Sequence, residues 1–139
     1  MNIVIDTNVV ISAILFGGVP GKLIDLWKTR RILPLITAEI MAEYIRVLAY
    51  PKFELSEDEI NYILHQEILP FFKAVKSVPG SSIIETDPDD DKFIQCAEAG
   101  KAKIIISGDR HLLALKSYKN IEIKTPNQFI KIIDRIENM

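Results

Sequence analysis

The stretch Asn2-Ile3-Val4-Ile5-Asp6-Thr7-Asn8 decides the architecture. Ile3-Val4-Ile5 is a short, continuously apolar and β-branched run, which fits a strand covered on both faces. An acid ends the run, and Val9 to Leu15 then reads as a short helix. The chain therefore begins as strand, turn and helix, and the segments that follow keep alternating in type. Gly17-Gly18-Val19-Pro20-Gly21 breaks the first helix. A second helix spans Lys22 to Arg30, with Leu23, Ile24, Leu26 and Trp27 on one face. Ile32-Leu33-Pro34-Leu35-Ile36 is a second strand, and Pro34 requires a place where one ladder hydrogen bond is missing.

Thr37 caps a helix that runs to about Tyr50 and stops before Pro51. Ser56-Glu57-Asp58-Glu59 is a capping box opening a helix with Ile60, Ile63, Leu64 and Ile68 on its face. Residues 73–86 carry the weakest pattern, with one extended segment expected around Ile83-Ile84. Asp87-Pro88 reads as N-cap and first helical residue, and Gly100 as the C-cap of that helix. Lys103 to Ser107 is a strand, Arg110 to Leu115 a short helix and Ile121 to Lys124 the last strand. Thr125-Pro126-Asn127-Gln128 starts the final helix, which carries Phe129, Ile130, Ile132, Ile133 and Ile136. Short apolar strands alternating with helices predict an α/β/α sandwich with a mostly parallel sheet of four or five strands. The 139 residues fit one domain, 1–139.

Composition narrows the function. Hydrophobic residues are 48% and charged residues 26% of the chain, which suits a folded soluble protein rather than a disordered one. The net charge of −2 excludes a general electrostatic pull on polyanions, so any nucleic-acid contact must be local. No apolar run reaches the ~20 residues of a membrane span. The N-terminus has no basic region ahead of its apolar stretch, so no signal peptide is expected and cytoplasmic is the default location. The single cysteine, Cys96, excludes an internal disulfide and reads as a small buried hydrophobe. His65 and His111 lack paired ligand spacing and read as non-ligands.

In parallel sheets ligands bind beyond the carboxyl ends of the strands. Asp6 ends the first strand, and Asp109 follows the strand of Ile104 to Ile106. Asp87, Asp89, Asp90 and Asp91 stand where the preceding helix begins, and Glu39 and Glu43 share a face of theirs. Singly, each has an ordinary explanation as a turn residue, a cap or a solvated helix face. Jointly they could converge at one edge of the sheet. Clustered carboxylates repel and need a counter-charge. An all-oxygen set favours Mg²⁺ or Mn²⁺ over zinc. Such a site can activate water and clamp phosphate oxygens, which suits phosphodiester hydrolysis.

The order and spacing of these motifs resemble the PIN-domain nucleases, and within them the toxins of bacterial and archaeal toxin–antitoxin systems related to the VapC ribonucleases. The resemblance rests on Ile3-Val4-Ile5-Asp6-Thr7-Asn8-Val9-Val10, on Glu43-Tyr44-Ile45-Arg46-Val47-Leu48 with Pro51-Lys52-Phe53, on Asp87 to Ile94 and on Ile105 to Leu113. It implies a metal-dependent endoribonuclease whose four acids are Asp6, Glu43, Asp90 and Asp109, with Asp91 a substitute for Asp90. It implies Mg²⁺ or Mn²⁺ as cofactor, RNA as substrate, a small antitoxin protein as partner, and a homodimer. Asn8 and Ser107 resemble the small polar residues that support the site. Arg46, close to Glu43 on the same helix, is the best phosphate contact among the basic residues Lys22, Lys28, Arg30, Arg31 and Arg46. The segment from Ser56 to Ile84 matches only as a helical insert.

Three other readings compete. Asp6-Thr7-Asn8 resembles the first motif of haloacid-dehalogenase-like phosphatases, but the general acid expected two residues on is replaced by Asn8, which cannot do that work. Gly17 to Lys22 fails the phosphate-loop pattern, because Phe16 and Leu23 stand where glycine and Ser or Thr are needed. The third is a non-catalytic RNA- or partner-binding module, against which the complete acidic set argues.

Overall fold

The computed structural model describes residues 1–77 and 91–138. Within them the chain runs β1 (Asn2–Ile5), α1 (Thr7–Phe16), α2 (Gly18–Lys28), β2 (Leu33–Ile36) and α3 (Ala38–Leu48). A 3₁₀ turn, Pro51–Phe53, leads to α4 (Glu57–Tyr62), a π-helical segment at Ile63–Ile68, and β3 (Lys73–Ala74). The second described stretch holds α5 (Asp91–Ala99), β4 (Ile104–Ile106), α6 (Arg110–Leu115), β5 (Ser117–Tyr118), β6 (Ile121–Lys124) and α7 (Pro126–Glu137).

The strands form one sheet in the order β3-β2-β1-β4-β6-β5, parallel throughout except for the β5–β6 pair. The expected α/β/α sandwich is the observed architecture. The four longer strands are those read from sequence. β3 and β5, two residues each, extend the edges and are too short to carry a pattern. The expected extended segment at Ile83-Ile84 and the helix start at Asp87-Pro88 lie outside the described residues.

β1 lies between β2 and β4, with Ile3, Val4 and Ile5 essentially inaccessible, as a doubly covered strand requires. Strand order reverses between β1 and β4, so the carboxyl ends of these two strands flank the switch point where such sheets bind ligands. Pro34 is tolerated in β2 because β3 pairs only with Leu35 and Ile36, while the Leu33 N–H reaches Met1 O at 2.8 Å on the β1 side.

Local chemistry moved several boundaries. α1 starts at Thr7, earlier than Val9, because Asp6 caps it by accepting from the Val9 N–H. The break between α1 and α2 is Gly17 alone, at φ 73°, a conformation open to glycine. Pro20 then sits inside the first turn of α2, where its missing N–H has no helical partner to lose. The capping boxes at Ser56 and Thr125 both form as expected. The helix from Glu57 widens to π geometry at Ile63, which keeps Ile63, Leu64 and Ile68 all buried. Trp27 Nε1 donates to the Glu67 carbonyl at 3.0 Å and Lys28 pairs with the Glu67 carboxylate at 2.5 Å, tying this segment to α2.

Gly100 ends α5, but its role differs from a conformational one. Lys101 N–H bonds Glu98 O at 3.3 Å and Ala102 N–H bonds Ala97 O at 2.8 Å, the paired bonds of a Schellman cap. The left-handed residue of that cap is Lys101, at φ 57°. Gly100 is needed for space: a Cβ there would enter the van der Waals shell of Leu35 Cδ1 and lie 3.3 Å from Leu35 Cγ and Val75 Cγ1. Leu35 is fully buried and cannot step aside freely. Gly100→Ala is expected to lower stability by about 1–3 kcal/mol through overpacking. Lys101→Gly is expected to raise it by up to about 1 kcal/mol, the left-handed strain relieved less the added chain entropy. Urea unfolding midpoints of the two variants read both effects, and a more stable Gly100→Ala would overturn the packing account.

Candidate functional site

Among the described residues four polar or charged side chains are buried: Asp6, Thr7, Thr37 and Ser107. Thr37 is explained by its cap on α3, where it accepts from the Ile40 N–H at 3.2 Å. The other three stand together at the ends of β1 and β4. Buried polar groups need partners: Asp6 and Ser107 bond each other and the backbone, and Thr7 bonds the Glu43 carboxylate.

Asp6 is 4% exposed. Its Oδ1 accepts from the Val9 N–H at 3.0 Å, and its Oδ2 accepts from the Ser107 hydroxyl. Ser107 in turn accepts from the Asp109 N–H at 2.9 Å. Asp109 caps α6, its Oδ1 accepting from the His111 and Leu112 N–H groups at 2.8 and 3.1 Å. One serine thus couples the two strand-end acids. Burial raises the pKa of Asp6 above its ordinary value, and the nearby negative charge of Asp109 adds to the rise. The hydrogen bonds from Ser107, Val9 and Gly108 oppose it without cancelling it.

Glu43 enters from α3. Helix α3 packs against α1 and α5. The buried Tyr44 donates its hydroxyl to the Ile5 carbonyl at 3.1 Å, pinning the helix to the residue before Asp6. Glu43 Oε2 accepts from the Thr7 hydroxyl, and Oε1 from Lys92 Nζ at 2.8 Å and from Arg46 at 3.3 Å. Burial pushes the Glu43 carboxyl up, but the Lys92 and Thr7 hydrogen bonds and the charges of Lys92 and Arg46 outweigh it. The group ends below the ordinary carboxylate range.

Asp6, Glu43 and Asp109 line one cleft of about 190 Å³, together with Thr7, Asn8 and Arg46. The structure therefore brings together three of the four expected acids, the supporting Asn8 and Ser107, and Arg46 at the rim. Asp90 lies outside the described residues. Asp91, its substitute, is half-buried in the first turn of α5 beside Lys92. Among the described residues no group of three or more His, Cys, Asp or Glu side chains is gathered closely enough to hold a metal ion. Three of the four other basic candidates make contacts elsewhere: Lys28 pairs with Glu67, Arg31 with Asp25 and Glu137, and Arg30 lies 5.8 Å from the centre of the Phe71 ring, while Lys22 is exposed on α2. Cys96 is a buried hydrophobe as expected, its thiol pushed up to about 12 by burial.

Sequence reasoning assigned no role to Thr7, Tyr44 or Lys92. Thr7 and Lys92 adjoin quoted acids, and that adjacency was their only signal. Tyr44 gave none, since an aromatic next to Glu43 is an ordinary core residue until the strand carbonyl beneath it is known.

Comparison with curated proteins gives no match. Solved structures that share the fold include the following three. VapBC2 from Rickettsia felis, bound to a DNA fragment from their promoter, aligns with a TM-score of 0.62 at 14% identity, covering 90% of this chain and 98% of that one. FitAcB from Neisseria gonorrhoeae aligns with a TM-score of 0.58 at 19% identity, over 89% of this chain and 97% of the other. The PIN domain endonuclease Utp24 aligns with a TM-score of 0.51 at 16% identity, over 88% and 82%. No single helix among the described residues is long and apolar enough to cross a membrane. The sequence model of the PIN domain matches residues 2–111, which takes in β1, the Glu43 helix and the Ser107–Asp109 turn, and the chain belongs to the PIN-domain family.

Proposed function

We propose that this chain is a metal-dependent endoribonuclease that hydrolyses RNA phosphodiesters and acts as the toxin of a toxin–antitoxin system. The observation that carries the nuclease reading is the buried Asp6 carboxylate sharing a cleft at the switch point with Glu43 and Asp109. Membership of the PIN family and the likeness to a PIN domain endonuclease support it. The likeness to VapBC2 and FitAcB supports the toxin role and a small antitoxin partner. RNA as substrate and the homodimer rest on the sequence resemblance.

The donor set fits a hard divalent ion, Mg²⁺ or Mn²⁺, because every side chain offered is a carboxylate or hydroxyl. Asp6, Glu43, Asp90 and Asp109 are the residues proposed to hold it. A bound ion would supply Lewis acidity toward a phosphate oxygen, a more acidic water and an offset to the clustered negative charge. The protein's own groups do the positioning. Val9 and Ser107 fix both oxygens of Asp6, and Ser107 sets Asp109 against it. Thr7 and Lys92 hold Glu43 at the cleft wall. Arg46, two-thirds exposed, stands at the rim where a phosphate would enter.

The charge on Asp6 gives the reading a second handle. Its folded pKa is raised, so the native state binds that proton more tightly than the unfolded chain. The stability this confers is present below the unfolded pKa of about 4 and is lost as pH rises through the folded value. Ionised Asp6 therefore burdens the metal-free fold at neutral pH, and a counter-ion relieves it.

RNA incubated with Mg²⁺ or Mn²⁺ is expected to be cut by the wild type and not detectably by Asp6→Asn. Equal cutting by both would sink the mechanism, and turnover of a small phosphate monoester without RNA cleavage would favour the phosphatase reading. Ser107→Ala, which frees Asp6 Oδ2 and leaves the Asp109 N–H without its acceptor, is expected to lose roughly 10–100-fold in rate or metal affinity, the usual cost of removing a group that orients a metal ligand. In chelator at pH 7, Asp6→Asn is expected to resist urea better than the wild type, with the advantage closing below pH ~4. Added Mn²⁺ should raise the wild-type midpoint and leave that of Asp6→Asn unmoved; an equal rise in both would remove Asp6 from the ligand set.

A further inference from the structure

The acidic cleft does not end at its own rim. Asn8, Val47 and Tyr50 line both the cleft and a neighbouring groove of about 600 Å³. The groove is bordered by aromatic rings that folding leaves in solvent. Phe16, the last residue of α1, is 70% exposed, and Tyr50 is 41% exposed. The Phe53 ring stands between them, 6.0 Å from Phe16 and 6.5 Å from Tyr50, nearly parallel to the latter at 6°. Lys52 Nζ lies 5.2 Å from the Phe53 centroid and 6.0 Å from that of Tyr50. The structure thus sets three rings and one ammonium beside the acids, on an apolar floor that includes Ile11 and Leu15.

We infer that this groove is a stacking platform for unpaired bases of single-stranded RNA flanking the scissile phosphate. The inference rests on the nuclease reading of the adjoining cleft and names the form of substrate it takes. A polymer held by one phosphate at the acids continues over the surface next to them, and the groove opens directly into the cleft. The protein's net charge is −2, and Arg46 and Lys52 are the cations on this path, so phosphate contacts alone give little affinity. Stacking supplies affinity without charge and without sequence preference, at about 1–3 kcal/mol per base. Lysine among aromatic rings is the composition such platforms use, the ring faces taking bases and the ammonium a backbone phosphate. Paired bases present no free face, so the platform selects single strands, loops and ends.

The test uses the full chain carrying Asp6→Asn, which holds RNA uncut, and a short single-stranded RNA with 2-aminopurine at an internal position. Binding is expected to quench the probe. Phe16→Leu and Tyr50→Leu, which keep apolar bulk but remove the ring, are expected to weaken binding at least about fivefold each and to restore fluorescence. Phe16→Trp is expected to keep both. Phe16 is largely exposed, and a thermal melt of each variant separates misfolding from lost contact. Wild-type affinity and quenching in the leucine variants would overturn the inference and leave the groove to a polypeptide; absence of RNA binding by the Asp6→Asn chain would overturn it too. Cleavage by the wild type with unchanged binding in the leucine variants sinks the platform alone, whereas ring-dependent binding without any cleavage sinks the nuclease reading alone.

Discussion

The Asp6 carboxylate is where the chain's two demands meet. As the residue between β1 and α1 it must cap a helix, and as the end of a doubly covered strand it must be buried. The Val9 N–H and the hydroxyl of Ser107 satisfy its oxygens but bring no positive charge. A buried carboxylate with neutral partners and a second acid nearby is an unfavourable arrangement for stability alone. Its place at the switch point is the observation on which the proposed metal site rests. The surrounding sheet is built so that this arrangement cannot relax: β1 has partners on both sides, and β4 delivers Ser107 and Asp109 in register with it.

Glu43 obeys a different logic. It is carried by a helix rather than a strand end, and its position depends on how α3 docks. Tyr44 gives that docking a fixed point by spending its hydroxyl on the Ile5 carbonyl, one residue from Asp6. The fully buried ring also meets Phe72 edge-on, with centroids 6.4 Å apart. Phe72 in turn meets Trp27, which holds the π-helical segment through the Glu67 carbonyl. The geometry of the cleft is therefore supported by an aromatic chain that reaches across the helical layer to α2.

Much of this was legible in the sequence, for identifiable reasons. Continuous β-branched runs such as Ile3-Val4-Ile5 announce buried parallel strands, and capping residues such as Ser56 and Thr125 announce helix starts, because both signals are local. The strand-end acids followed from the topology rule. What sequence could not give was set by contacts distant along the chain. The extent of the sheet depends on two-residue strands that carry no alternation. Gly100 reads as a cap glycine, while the space it leaves belongs to Leu35 and the left-handed turn to Lys101. Thr7 and Lys92 acquire meaning only when Glu43, 36 and 49 residues away, is seen between them.

The Lys92–Glu43 ion pair has a consequence for how the proposed cofactor would arrive. Lys92 is only 9% exposed, and its ammonium already neutralises the Glu43 carboxylate. A divalent ion recruiting Glu43, as proposed, would therefore meet a carboxylate that already has a cation beside it. It would compete there with a tethered monovalent cation that cannot diffuse away. The net gain in electrostatic energy would then be the difference between two cations rather than the whole attraction of one. Lys92 thus has two parts in the proposal: it holds Glu43 at the cleft wall, and its charge would set how much an incoming divalent ion could gain there.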